Sequence, residues 1–253
     1  MEYFVKKESI VRKIWGRSDT ILFIFAGASA EFALNKAVDW LYYTGKLPSD
    51  PIGRLFSTVH YARAIVFAPM EEAYGAIEQI YKIHSALEEK RGYKIPDWAY
   101  RDVLYMLIYY SISAYELLNE KLSREEKEEA YDVFFRVGDG MGLKDLPNDY
   151  NSWLVSRQLH LKNDLEFSNY TKDLFKQYRK HLGVVRYKAL IEAQKLVAPE
   201  IVKDRLDFGP LPWLKPAIPL YKFSRKMKID WILRNLLLPS TYKKQIDSLD
   251  MVD

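Results

Sequence analysis

Along the long segments of this chain apolar residues return every three to four positions, not at every second one, so the pattern predicts helices and not half-buried strands. The first clear stretch covers residues 21–43, where Gly27, Ala28 and Ser29 are small enough for a neighbouring helix, or a flat ligand, to come close. In "PSDPIGRLFSTVHYARAIVF", Asp50 suits an N-cap and Pro51 the first helical position. Leu55, Val59, Ala62 and Val66 make that helix's apolar stripe, and Arg54, Thr58, Tyr61 and Ile65 line the adjacent face.

Pro69 opens a third helix over residues 69–91, with a stripe of Ala73, Ile77, Ile80, Tyr81, His84 and Leu87. Glu71, Glu78, Lys82, Glu88 and Glu89 lie opposite, so His84 falls on the side the pattern buries, and Gly92 supplies a C-terminal cap. Asp97 begins another helix, in which "VLYMLIYYSISAYELL" is apolar nearly all round, as a central helix is. Ser123 and Glu126 form a capping box for a helix that stops among Gly138, Gly140 and Gly142. Two more helical stretches follow over residues 152–160 and 171–197. From Ala198 onward Pro199, Pro210, Pro212, Pro216 and Pro219 predict an extended, turn-rich segment before a last helix over residues 226–238. The expected fold class is all-α: one helical domain over residues 1–253, with 198–253 a proline-rich C-terminal wrap packed on it.

Composition narrows the chemistry more than the fold. The 253 residues contain no cysteine, which excludes disulfides, thiolate metal sites and cysteine nucleophiles. Lys and Arg number 38 against 34 Asp and Glu, and the net charge of +4 is scattered, without the basic face that nucleic-acid binding requires. Residues 1–15 hold no sustained apolar run, so no secretory leader is expected, and a cytoplasmic location follows as an expectation. The most apolar run, residues 21–34, is about 14 long and carries Glu31, short of the roughly 20 a membrane span needs. In the last segment Lys215, Lys222, Arg225, Lys226 and Lys228 accompany Trp213 and Trp231; such a stretch could touch anionic lipid, but a helix packing its apolar side on the core is the favoured reading.

No Gly-rich phosphate loop, HExxH or GxSxG motif is present. A carboxylate-bridged di-iron bundle wants Glu three residues before a ligand histidine, and Tyr81 occupies that place before His84. With cysteine gone, histidine is the protein ligand left for an iron cofactor, although a lone helical histidine is more often a core residue than a ligand. Arg54 and Thr58 have a plain reading too, as an Arg that snorkels and a Thr bonded to its own backbone. Glu31 is costly to bury unless paired or protonated, which fits a pocket and a structural salt bridge equally.

The order of motifs carries more than any one of them. "SDPIGRLFSTVHY", "VFAPMEEA", "IYKIHSAL" and "AYELL…LSREEKEEAYDVFFRVGDGMGLKDLPNDY" succeed one another, and "LLLP" follows the proline-rich tail. That succession resembles the oxygenase MpaB and latex-clearing-protein family over about residues 15–239. The resemblance implies a globin-like helical core, a b-type haem (haem b) and cleavage of double bonds in isoprenoid chains by dioxygen to two carbonyls. It places His84 as the iron ligand, Arg54 and Thr58 as the polar pair beside the haem and Tyr61 as the end of the same motif. Arg54, Thr58 and Glu31 are the catalytic candidates, acting on a small apolar substrate such as an isoprenoid or lipid. An apolar channel is expected from residues 21–34 and 103–115.

Several family positions differ. Histidines common in the family are replaced around Ala33–Asn35, near Thr44 and near Leu104, Phe67 is followed by Ala68, and Ser57 stands where latex-clearing members carry a lysine. Their catalytic glutamate falls by spacing near Val38, leaving Asp39 or the more distant Glu31 to substitute. The ligand position is kept while companions are not, so a haem protein without turnover (carrier, sensor or redox module) is the alternative.

Overall fold

The computed structural model describes residues 2–45, 49–209 and 211–226, and every regular element among them is a helix. In chain order these are α1 (Ile10–Trp15), α2 (Ser18–Leu34), α3 (Asp39–Tyr43), α4 (Pro51–Val66), α5 (Met70–Arg91), α6 (Asp97–Leu118), α7 (Arg124–Gly140), α8 (Tyr150–Asn163), α9 (Asn169–Val197), α10 (Glu200–Arg205) and α11 (Ala217–Lys226). The all-α expectation is met. The stretch expected as a last helix over 226–238, together with Lys228, Trp231 and "LLLP", falls outside the described residues apart from Lys226, as does the Leu55 side chain.

α2 and α6 form the centre because both are apolar on most of their circumference. Ile21, Ile24, Ala30 and Leu34 of α2 are buried with Met106, Ile108, Tyr110 and Ala114 of α6. Gly27 lets them meet: a Cβ there would stand 2.2 Å from the Tyr110 ring and 2.8 Å from Val197 of α9. The small residues expected to admit a helix or a flat ligand therefore admit two helices. No helix among the described residues is long and apolar enough to cross a membrane.

Helix ends follow their local signals. Asp50 accepts from the Gly53 amide at 2.8 Å with Pro51 at the first helical position, Gly92 ends α5 at a φ of 83°, and Ser123 and Glu126 close a reciprocal capping box. Three expectations change. The helix expected over 21–43 breaks after Leu34, where Asn35 is extended and pairs with Leu165 in an isolated antiparallel bridge. Its amide oxygen takes the Ala37 N–H at 2.8 Å and its Nδ2 donates to Asp102 at 2.8 Å, so a tertiary partner holds open a turn that no Gly or Pro announces. The helix expected over 171–197 is bent at Gly183, whose φ of 71° is outside the helical range. The segment expected to be extended after Ala198 holds two short helices, α10 starting directly after Pro199. α11 is tied to the end of α6, with Arg225 donating to the Leu118 carbonyl at 2.7 Å and pairing with Asp19 at 3.1 Å.

Candidate functional site

α4 and α5 are packed as neighbours; α4 carries Arg54, Thr58 and Tyr61, and α5 carries His84. His84 is half-buried on α5, its ring edge-to-face with Tyr100 of α6 at 5.2 Å. Burial pushes its pKa down, and the nearby Arg54 guanidinium pushes it further, so the neutral imidazole is favoured. The Ile80 carbonyl one turn back opposes this, yet Nδ1 is buried without a well-directed hydrogen bond. Nε2 has no partner among the described residues. Tyr81, expected on the buried stripe, lies outward at 54% exposure, while Ile80 and Leu87 of the same stripe still pack on core clusters.

Arg54 is half-buried and donates to Ser57 Oγ at 3.0 Å. No carboxylate pairs with it among the described residues, and burial lowers its pKa while the Tyr61 phenol works the other way. Thr58 donates its hydroxyl to the Arg54 carbonyl at 3.3 Å, the local backbone bond its position on a helix suggests. Tyr61 is half-buried with its ring 5.9 Å from that of His60. His84, Arg54 and Tyr61 are thus within electrostatic reach in pairs, with Thr58 one turn from the arginine.

Glu31 belongs to a different cluster. It is 0% exposed on α2, and Arg157 of α8 grips both its oxygens. Tyr110 donates to it at 2.9 Å and His160 Nε2 lies 2.8 Å away. Burial pulls the Glu31 pKa upward, but Arg157 and His160 outweigh this and hold it at about 2. For Arg157 burial acts downward and Glu31 prevails, raising its pKa. His160 likewise stays raised against its burial through Asp102 and Glu31. Its Nδ1 is 2.6 Å from Asp102 and 3.6 Å from Asp164, and burial pushes the Asp102 pKa up. Tyr100 and Asp102 are two residues apart on α6, so they face opposite sides of that helix, one toward His84 and the other toward His160. Among the described residues the two clusters share no partner.

The chain matches the family described as ER-bound oxygenase mpaB/B'/Rubber oxygenase, catalytic domain, over residues 13–237. It belongs to that family. Neither the curated proteins nor the solved structures hold a match to it. The match is to the oxygenase family that the order of its motifs suggested.

A cavity of about 410 Å³ opens between α6, α8 and α9, lined by Tyr109, Ile112, Leu117, Trp153, Leu154 and Leu196 among others. Part of the 103–115 stretch expected to line a channel does face it; the expected contribution of 21–34 does not, because that helix is packed against α6 and α9. Sequence reasoning missed Arg157, His160, Asp102, Tyr110 and Asn35. The signal for a partner was there, since a carboxylate in an apolar helix demands one, and Arg157 and His160 stand at the i, i+3 spacing that shares a helix face. Which helix would supply it could not be read.

Proposed function

We propose that this mpaB/rubber oxygenase domain is a single haem b-binding domain of globin-like arrangement that oxygenates or oxidatively cleaves an apolar unsaturated substrate with dioxygen. The observation that carries the reading is His84: a half-buried imidazole favoured as neutral, whose Nδ1 is buried without a well-directed hydrogen bond among the described residues. Those properties fit a residue that would hold a haem iron, since an imidazole binds iron through an unprotonated nitrogen.

When bound, the haem supplies the redox chemistry by which dioxygen reacts with a double bond. The chain's own residues would do the rest. His84 would hold the iron. Arg54, desolvated and without a carboxylate partner among the described residues, would offer its donors to a negatively charged group of the cofactor or substrate. Thr58 and Tyr61 extend that polar edge by one and two turns of α4. The cavity of about 410 Å³ lies on the Asp102 side of α6, opposite His84, and mixes Ile112, Leu117 and Leu196 with Glu116 and Lys121, so the substrate reading rests on the His84 edge and not on this cavity.

One observation favours the non-catalytic alternative. Glu31 was expected as a catalytic carboxylate, and its four hydrogen bonds, from two Arg157 nitrogens, Tyr110 and His160, occupy the lone pairs a base would use. A carrier, sensor or redox module would need His84 but not a free base. The test is the visible spectrum of the protein from a haem-replete host, alone and as His84→Ala, followed by product analysis with isoprenoid and unsaturated fatty substrates. A Soret band lost in the variant, together with carbonyl products, is the expected result. A colourless wild type that takes up no added haem overturns the haem reading, and a Soret band without product favours the carrier.

A further inference from the structure

A ligand histidine is ordinarily held in one orientation by a hydrogen bond at the ring nitrogen that does not bind the metal. His84 lacks a good one: Nδ1 is buried beside the Ile80 carbonyl without a well-directed bond. What does meet the ring is Tyr100 of α6, whose plane stands at 85° to it with centroids 5.2 Å apart. An edge-to-face contact of this kind resists rotation of the imidazole.

Tyr100 is itself held. Its hydroxyl donates to Glu88 Oε1 at 3.0 Å, and the Ile95 amide donates to the same oxygen at 2.9 Å. Burial, and then Glu88, raise the Tyr100 pKa, so the phenol stays protonated and the bond keeps its donor. Glu88 is one turn beyond His84 on α5; the sequence pattern puts it on the outer face, yet it is half-buried and bonded to α6. The backbone beneath these groups is fastened as well. Leu87 and Ile95 pack on Trp40 and Ala99. Arg91, at the end of α5, pairs with Asp39 at 2.6 Å and stacks 4.0 Å from the Trp40 ring. Glu88, Tyr100 and His84 thus form a chain of contacts whose outer end is set by the fold and whose inner end is the imidazole.

We propose that Tyr100, locked by Glu88, is a positioning residue for His84, holding the imidazole in one orientation toward the haem iron. The inference rests on the haem reading of His84 and assigns Tyr100 no contact with substrate. The bond from the Ile95 amide to Glu88 already closes the α5–α6 turn without Tyr100, so the second bond adds the lock on the ring. Glu88→Gln keeps an oxygen able to accept both bonds and should preserve that lock. Tyr100→Phe keeps the ring but frees it, and Tyr100→Leu removes the edge contact.

The test uses the full chain loaded with haem and two readouts that need no substrate. One is the rate at which haem passes to excess apomyoglobin; the other is the iron–histidine stretching band of the ferrous protein in resonance Raman spectra. Tyr100→Leu is expected to lose haem about ten-fold faster or more, and to shift or broaden the band. Tyr100→Phe should fall between it and the wild type, and Glu88→Gln should match the wild type. Circular dichroism checks folding, and Tyr100→Phe carries the test if the leucine variant does not fold. Wild-type haem loss and an unaltered band in the folded tyrosine variants overturn the proposal and leave the haem reading intact. A wild type that takes up no haem overturns the haem reading and this proposal with it.

Discussion

Two histidines on opposite sides of α6 meet opposite surroundings. Burial pushes the pKa of both downward, but Arg54 reinforces that push on His84 while Asp102 and Glu31 reverse it on His160. The sign of a buried group's shift therefore comes from the charges around it and not from depth. The His84 edge is half-buried, and its Nδ1 has no well-directed hydrogen bond among the described residues. Around Glu31 the groups are nearly saturated, and their effect is to fasten α2, α6 and α8 together.

The comparison breaks first if the Glu31 cluster is not structural. Arg157→Ala leaves a buried carboxylate uncompensated and is expected to cost about 3–5 kcal/mol in chemical denaturation; a loss below 1 kcal/mol on that scale would show the cluster is already wet. Acid gives the next effect. The Glu31 carboxyl is held at about 2 against an ordinary 4.5, so its contribution is fully present above the ordinary value and lost as pH falls toward about 2. That window should carry about 3 kcal/mol of stability, measured as denaturation midpoints between the two pH values, and a flat profile there would contradict the ionised carboxylate. Gly27→Ala tests the packing that brings Glu31 to Tyr110: the new methyl would meet the Tyr110 ring at 2.2 Å, and about 1–3 kcal/mol should be lost. The smallest effect belongs to the other side. His84→Ala removes a half-buried ring packed on Tyr100 and should move stability by less than about 1 kcal/mol, and under the proposed haem reading it abolishes the Soret band; a cost like that of Arg157→Ala would make His84 a core residue after all.

Much of the fold was legible because it is written in local signals. Asp50 with Pro51, Gly92, and Ser123 with Glu126 each stabilise a helix end through bonds within a few residues, and all three ends lie where those residues predicted. Arg54, Thr58, Tyr61 and His84 were found by motif order, which records what a family keeps without saying what each side chain touches. The break at Asn35 was illegible because its cause is Asp102, far along the chain. The Gly183 bend carried only a lone glycine as warning, and helices tolerate such residues often enough to hide it.

What the sequence determined by itself is the helical class, the placing of most helix ends, family membership and the four candidate residues of α4 and α5. Only the tertiary structure decided that Glu31 pairs with Arg157 and His160 and that Asp102 and Asp164 converge on one ring nitrogen. The physical reason is range. A cap or an apolar stripe acts over one or two turns, whereas a buried charge requires a counter-charge but places no condition on where in the chain it comes from.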